Sequence, residues 1–129
     1  MTTINEAISP WLSSVTGLDC FWLKRPEDEN QCVVYRCLTP GVIQGNLRPT
    51  GICEDVYSFT IYHANPDQGK TLADAITAAL HHFTGELNSG APNAYPIQLA
   101  TFTGGGESWL TSEVGSTVYQ FTRDFIINH

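Results

Sequence analysis

Positive charge is in short supply. The 129 residues hold six Lys and Arg against thirteen Asp and Glu, a net charge of −7 with His neutral. Proteins that grip duplex DNA neutralise its phosphates with clustered cations. Without that supply, specific nucleic-acid binding is not expected, although an acidic surface would let DNA pass without sticking. Long apolar runs are missing as well. None approaches the ~18 residues of a membrane span, so no membrane partner is expected. The opening Met1-Thr2-Thr3-Ile4-Asn5-Glu6 has neither the basic nor the apolar region of a secretory signal, which makes the cytosol the expected place of synthesis.

Cysteine is sparse and scattered. Cys20, Cys32, Cys37 and Cys53 contain no C-x-x-C spacing. Cys32 and Cys37 fall on one expected strand at an odd separation, so they point to opposite faces and cannot share a metal. Reduced packing thiols are the expectation, with no bound metal and no cofactor. No Ser-His-Asp or Cys-His arrangement carries a nucleophile signature, and no catalytic residue is assigned. His81 and His82 are adjacent, whereas a helical metal pair needs i and i+4, so both are read as solvated surface.

What the chain does contain is a folded core. Hydrophobic residues make up 42% and charged residues 15%, the balance of a globule rather than of a disordered chain. The length suits one domain over residues 1–129 with a single two-layer core. Its centre is the stretch 56–87. Tyr57, Phe59 and Ile61 alternate with Ser58, Thr60 and Tyr62, the period of a half-buried strand. Leu72, Ile76, Leu80, Phe83 and Leu87 then recur at three- and four-residue spacing, predicting one long amphipathic helix that covers the strand.

Upstream, Ile4, Ile8, Trp11, Leu12 and Val15 predict a first helix ended by Gly17. Pro10 either kinks it or marks its start at Ser9-Pro10. Residues 18–23 read as a short strand, 24–30 (KRPEDEN) as a charged turn and 31–38 (QCVVYRCL) as a second strand. Three glycines and two prolines in 39–53 predict a long hairpin loop or a mobile arm. Downstream of the long helix, 95–103 alternates Ile97 and Leu99 against Gln98 and Ala100. Gly104-Gly105-Gly106 interrupts it, and 107–115 reads as a second loop carrying Trp109. The last strand, 116–128, places Tyr119, Phe121, Phe125 and Ile127 on one face, with Arg123 on that face near an edge where its head reaches water. The order is α-β-β-β-α-β-β. The fold class is α+β, a mostly antiparallel sheet of about five strands with two helices packed on one face.

Two features invite a functional reading. Ala64-Asn65-Pro66-Asp67-Gln68-Gly69-Lys70-Thr71 approximates the phosphate-cradling loop between a strand and a helix. A helix start explains it better. Asn65 as N-cap, Pro66 at the first helical position and Gln68 at the third would place Gly69 and Lys70 inside the helix, with their N–H groups already committed. The other feature is Trp109 with its neighbours Glu107 and Leu110. A Trp beside three glycines can cap a sheet edge, or it can anchor a partner. Together with Gly41, Val42, Ile43, Asn46, Leu47 and Arg48 of the glycine- and proline-rich loop, these are the candidate partner-contact residues.

Val33-Val34-Tyr35, followed after a loop by Tyr57-Ser58-Phe59-Thr60-Ile61-Tyr62 and then by Leu72-Ala73-Asp74-Ala75-Ile76-Thr77-Ala78-Ala79-Leu80, resembles the tail terminator family of long-tailed bacteriophages. These are tail completion, or minor tail, proteins. The ending Ser116-Thr117-Val118-Tyr119-Gln120-Phe121-Thr122-Arg123-Asp124-Phe125 resembles that family's last strand. The sequence departs from the pattern before Val33, where Gln31-Cys32 stands in place of a common Pro-Tyr pair, and in the richness of 39–53 in Gly and Pro.

The resemblance implies a non-enzymatic virion protein, assembled in the host bacterial cytoplasm and resident in the virion tail. It implies self-association into a ring, usually a hexamer. The ring caps the tail tube protein, ends tube polymerisation and presents a surface to a head-completion protein, with DNA free to pass through. A head-tail joining protein is the neighbouring reading. A small nucleotide-binding protein using Gly69-Lys70-Thr71 and an unrelated α+β binding module are the readings from other classes.

Overall fold

A computed structural model describes residues 4–23, 31–39, 42–45, 48–92, 94–111 and 117–129, with backbone alone for 39, 42–45, 48–53 and 110–111. The elements run α1 (Ile4–Thr16), β1 (Asp19–Trp22), β2 (Cys32–Thr39), β3 (Val42–Gly45), β4 (Arg48–His63), α2 (Pro66–Leu80), β5 (Gly85–Leu87), β6 (Tyr95–Ile97), β7 (Leu99–Thr111) and β8 (Thr117–Asn128). The fold is α+β in the expected order, with β3, β5 and β6 as short additional strands. The main sheet is ordered β1-β2-β4-β8-β7. β1 runs parallel to β2, and every other pairing on this path is antiparallel. The charged turn expected at 24–30 lies outside the described residues.

β4 sits at the centre, and its alternation does what its pattern predicts. Tyr57, Phe59 and Ile61 are buried and share one core with Ile4, Ala7, Ile8 and Leu12 of α1 and with Ala73, Ile76 and Leu80 of α2. Phe125 of β8 meets Phe59 edge-on at 5.7 Å between ring centroids and Phe102 of β7 at 5.5 Å. α1 runs unbroken from Ile4 through Pro10, so a start at Ser9-Pro10 is not adopted. Pro10 lies on the exposed side, where its missing N–H leaves the buried stripe of Ile4, Ala7, Ile8 and Leu12 intact. Gly17, at φ 72°, closes the helix by donating to the Ser13 carbonyl at 2.8 Å.

α2 begins as its cap signals predict but stops short. It ends at Leu80, and Phe83 and Leu87 lie outside it. His82 turns to φ 63° and its N–H donates to the Ala100 carbonyl at 2.7 Å. The Ala100 N–H in turn donates to the Phe83 carbonyl at 3.1 Å. β7 thus supplies the hydrogen bonds that further helix would have made. Leu87 still reaches the core, from β5.

Three further expectations are corrected around β7 and β8. The stretch 95–103 is two strands, broken at Gln98, whose N–H donates to the Asn128 carbonyl at 2.8 Å. That break shifts the phase, so Ile97 is buried at 3% exposure while Leu99 is 37% exposed and Ala100 takes the inward place. The triple glycine does not interrupt the sheet. A register shift between Phe102 and Gly104 absorbs it, and the pairing with β8 runs on to Thr111, so Glu107 and Trp109 are strand residues. Gly105 lies so close to β8 that a Cβ there would strike the Thr122 carbonyl.

Arg123 is buried at 9% exposure on a central strand, not near an edge. Its Nη2 reaches Asp74 Oδ1 of α2 at 3.3 Å and Glu107 Oε1 of β7 at 4.0 Å, and its Nη1 donates to the Thr122 carbonyl at 2.9 Å. Two carboxylates and a carbonyl therefore compensate the burial of its charge. Within 39–53, expected as a long hairpin loop or an arm, the described residues of β3 and the first part of β4 pair as a hairpin, Val42 opposite Cys53 and Gly45 opposite Arg48.

Candidate partner-contact surface

The candidate residues fall at opposite ends of the molecule. Arg48 belongs to the part of β4 that runs past the sheet before Glu54, and Val42 and Ile43 to β3 beside it. Gly41, Asn46 and Leu47 lie outside the described residues. Glu107, Trp109 and Leu110 lie on β7, where Trp109 pairs with Tyr119 of β8 and Tyr119 with His63 of β4. Glu54 and His63 are the two ends of the β4–β8 ladder. At ~3.3 Å per residue they are roughly 30 Å apart, so arm and Trp109 form two surfaces.

The Trp109 end is built by the start of α2. The Asn65 side chain accepts from Asp67 N at 3.0 Å and from Gln68 N at 3.3 Å, and the Asn65 N–H donates to His63 Nδ1 at 2.9 Å. That acceptor role fixes the His63 tautomer with its proton on Nε2. Gly69 is buried because Phe121 of β8 leans on it: a Cβ there would stand 2.7 Å from the ring. The close approach draws the helix N-terminus down onto β8. Pro66, Asp67 and Lys70 then face Glu107, Ser108, Trp109, Tyr119 and Phe121 across a cleft of about 390 Å³. Trp109 stands at its rim, 68% exposed. The Gly69 N–H is spent within the helix, donating to the Asn65 carbonyl at 3.0 Å, and so is withdrawn from any phosphate cradle.

The other exposed aromatic lies across the sheet. Trp22, at the end of edge strand β1, is 54% exposed, and Leu23 after it is 60% exposed with φ 75°. Between the two edges, the sheet face turned away from the helices carries Ser58, Thr60, Tyr62, Gln120 and Thr122. There the Thr60 and Thr122 hydroxyls lie 3.2 Å apart.

One polar cluster has no counterpart in the sequence reading. His129 Nε2 lies 2.6 Å from Asp55 Oδ2, and the Tyr95 hydroxyl lies 2.8 Å from His129 Nδ1. The His129 and Asp55 side chains are 7% and 12% exposed. The three residues come from β8's end, β4 and β6, so no local spacing could signal them. Their effect is to pin the last residue to two strands. His81 and His82 are exposed as expected but not idle. Their rings stack at 3.7 Å, and His81 Nδ1 accepts from the Phe102 N–H at 3.0 Å on the outer edge of β7.

Three titratable side chains packed in or against the core are shifted by burial. Burial raises the Cys20 pKa above the ordinary thiol value, which keeps the sulfur protonated and a poor nucleophile or ligand. Burial likewise pushes up Tyr57, whose hydroxyl donates to Asn5 Oδ1 at 3.0 Å, and Tyr35, which donates to the Asn5 carbonyl at 3.0 Å. Cys53 is among the residues described by backbone alone. No group of three or more His, Cys, Asp or Glu with metal-binding geometry occurs among the described residues. No helix among them is long and apolar enough to cross a membrane.

No family model matches the chain, and no curated protein matches it. Solved structures do match. One is described as the virion of a native gene transfer agent particle. It is 10% identical, with a TM-score of 0.48, over 92% of this chain and 84% of that one.

Proposed function

We propose that this chain is a non-enzymatic structural component of a long-tailed phage particle, a tail terminator that assembles into a ring, caps the tail tube protein and receives a head-completion protein. The observation that carries this reading is where the resembling stretches fall. Val33-Val34-Tyr35 lies on β2, 57–62 on β4, 72–80 on α2 and 117–125 on β8, so they form one contiguous unit of three adjacent strands and the helix that covers them. The excess of acids fits a passage through which DNA moves without adhering. Its place would be the virion tail, after synthesis in the host bacterial cytoplasm. A hexamer is the ring order the resemblance implies, and head-to-tail contacts of one kind close into such rings.

The reading is tested in a phage lacking the gene. Tubes should still polymerise but without a defined end, some overlong and few joined to heads, and the purified protein should restore joining without ATP. Normal-length tails with heads attached would remove the terminator reading. A protein that leaves tail length unaltered but is needed for joining would be a head-tail joining protein instead. The nucleotide-binding alternative is disfavoured by the committed Gly69 N–H, and calorimetry with ATP and Mg²⁺ should record no heat of binding.

A further inference from the structure

Both ends of α2 are tied to the sheet by the same device. At its start, the Asn65 N–H donates to Nδ1 of His63, the last residue of β4. At its other end, Nδ1 of the C-cap residue His81 accepts from the Phe102 N–H of β7. A neutral imidazole offers one acceptor nitrogen, and a protonated one offers none. Each bond therefore exists only while its ring is uncharged. In the charged ring, two N–H groups would face each other across 2.9 Å at His63 and 3.0 Å at His81.

The surroundings do not compensate an added positive charge. His63 is 4% exposed. The titratable groups on the elements packed around it are Tyr119 of β8, opposite it in the ladder, and Tyr62 with its β2 partner Cys32. Asp67 and Lys70 follow in the first turn and a half of α2. His81 has the His82 ring stacked on it at 3.7 Å and the Phe102 ring edge-on at 6.3 Å, so a second positive charge would arrive against a like one. Asp74, two turns earlier on α2, is engaged by Arg123. Among the described residues neither ring forms an ion pair with a carboxylate; His129 alone does, with Asp55.

His129 answers acid in the opposite way. Its Nε2 already faces the Asp55 carboxylate, and the Tyr95 hydroxyl at Nδ1 can turn from donor to acceptor, so protonation keeps both bonds.

We propose that α2 is an acid-released helix, held at both ends by histidines that must be neutral, while the His129 cluster at the far end of the sheet stays closed. The middle of α2 is fastened in the core by Ala73, Ile76 and Leu80 and keeps its place. Its start carries Pro66, Asp67 and Lys70, one wall of the cleft beside Trp109, and release frees that wall to move. Its end is held against preference. His82 sits at φ 63°, a conformation that an L side chain resists, and the bond from its N–H to the Ala100 carbonyl keeps it there. The two histidine bonds stabilise the neutral rings. They are complete at the alkaline side of the imidazole range and are lost as pH falls through it, roughly from 8 to 5.

Nitrogen-15 NMR of the full chain tests this across that range. Imidazole nitrogen shifts report the tautomer and charge of each histidine. Amide proton shifts and hydrogen exchange, corrected for its intrinsic pH dependence, report the two bonds. At the alkaline end His63 and His81 should carry their proton on Nε2. As each ring charges, the Asn65 and Phe102 amides should shift upfield and exchange about tenfold faster, while the Phe59 and Ile127 amides keep their protection. His63→Asn/His81→Asn places an amide oxygen where each Nδ1 stands and does not charge, so both amides should become indifferent to pH. Three results would each overturn the proposal: protons on Nδ1 at the alkaline end, Asn65 and Phe102 amides that ignore the imidazole titration, or an equal acid response in the double variant. If the variant does not fold, the wild-type tautomers and amide response decide the matter alone.

Discussion

The two ends of the β4–β8 ladder are finished in opposite ways. At the Glu54 end, Asp55, His129 and Tyr95 close on one another in a buried chain of hydrogen bonds, and Leu87 and Ile97 seal the core beside them. At the His63 end, Tyr119 is only half-buried, and Trp109 stands at 68% exposure over a cleft. Both ends carry large apolar side chains. One end encloses them in the core, whereas the other leaves one large aromatic side chain, Trp109, mostly in water while Tyr119 and Phe121 beside it pack on the core. The closed end and the open end therefore answer to different tests, one of folding and the other of the candidate contact at Trp109.

The contrast can be broken most severely at the closed end. Leu87→Ala should lower stability by about 2–5 kcal/mol, because the site is fully enclosed and the cavity cannot collapse. Denaturant unfolding measures this, and a loss under 1 kcal/mol would mean that the end is looser than the packing implies. Asp55→Ala should cost about 1–3 kcal/mol, since it leaves the His129 imidazole buried with one partner removed. His129→Ala in the same background should then add little, as a double-mutant cycle would record.

The third expected effect concerns alkali. The folded-state pKa of Tyr57 is raised by burial above the ordinary 10.0, so above that pH the unfolded chain sheds a proton that the folded chain keeps. Stability from this group is therefore complete below pH 10 and falls as pH climbs toward the raised value, by about 1.4 kcal/mol per unit. Tyr57→Phe should flatten that slope. An unchanged slope would assign the alkaline loss to other tyrosines.

The smallest effect on folding should come from the most exposed side chain. Trp109→Ala should change monomer stability by no more than about 0.5 kcal/mol. If the cleft holds a neighbouring copy, the same substitution should weaken association by about 2 kcal/mol or more. Leu87 and Trp109 then separate cleanly, one altering the unfolding curve and the other the sedimentation profile. A Trp109 variant that unfolds early but still assembles would reverse the comparison.

Much of this was legible in the chain. The alternation around Phe59 and the stripe of Leu72, Ile76 and Leu80 define which faces are buried, because side-chain direction follows directly from the strand and helix repeats. Asn65-Pro66 marked the start of α2, since a cap is a contact between near neighbours in sequence. Trp109 stood out by its glycine neighbours and is exposed, although on a strand rather than in a loop. The end of α2 was not legible. Phe83 and Leu87 continue the helical period by position alone, and nothing local reports that β7 will take the backbone groups of residues 82 and 83. The phase change at Gln98 and the passage of β7 through three glycines escaped for the same reason, being set by the fit against β8.

The sequence by itself determined the fold class, the order of the main elements, the central strand and its covering helix, and the scarcity of positive charge. Tertiary structure alone decided where α2 stops, that Arg123 is buried between Asp74 and Glu107, that Asp55, Tyr95 and His129 meet, and that the two exposed tryptophans stand on opposite sheet edges. The physical reason is range. Periodicity and capping act over three or four residues, within which the chain's geometry is nearly fixed. Hydrogen bonds and ion pairs between residues 34 to 74 positions apart exist only once the sheet has brought their strands together.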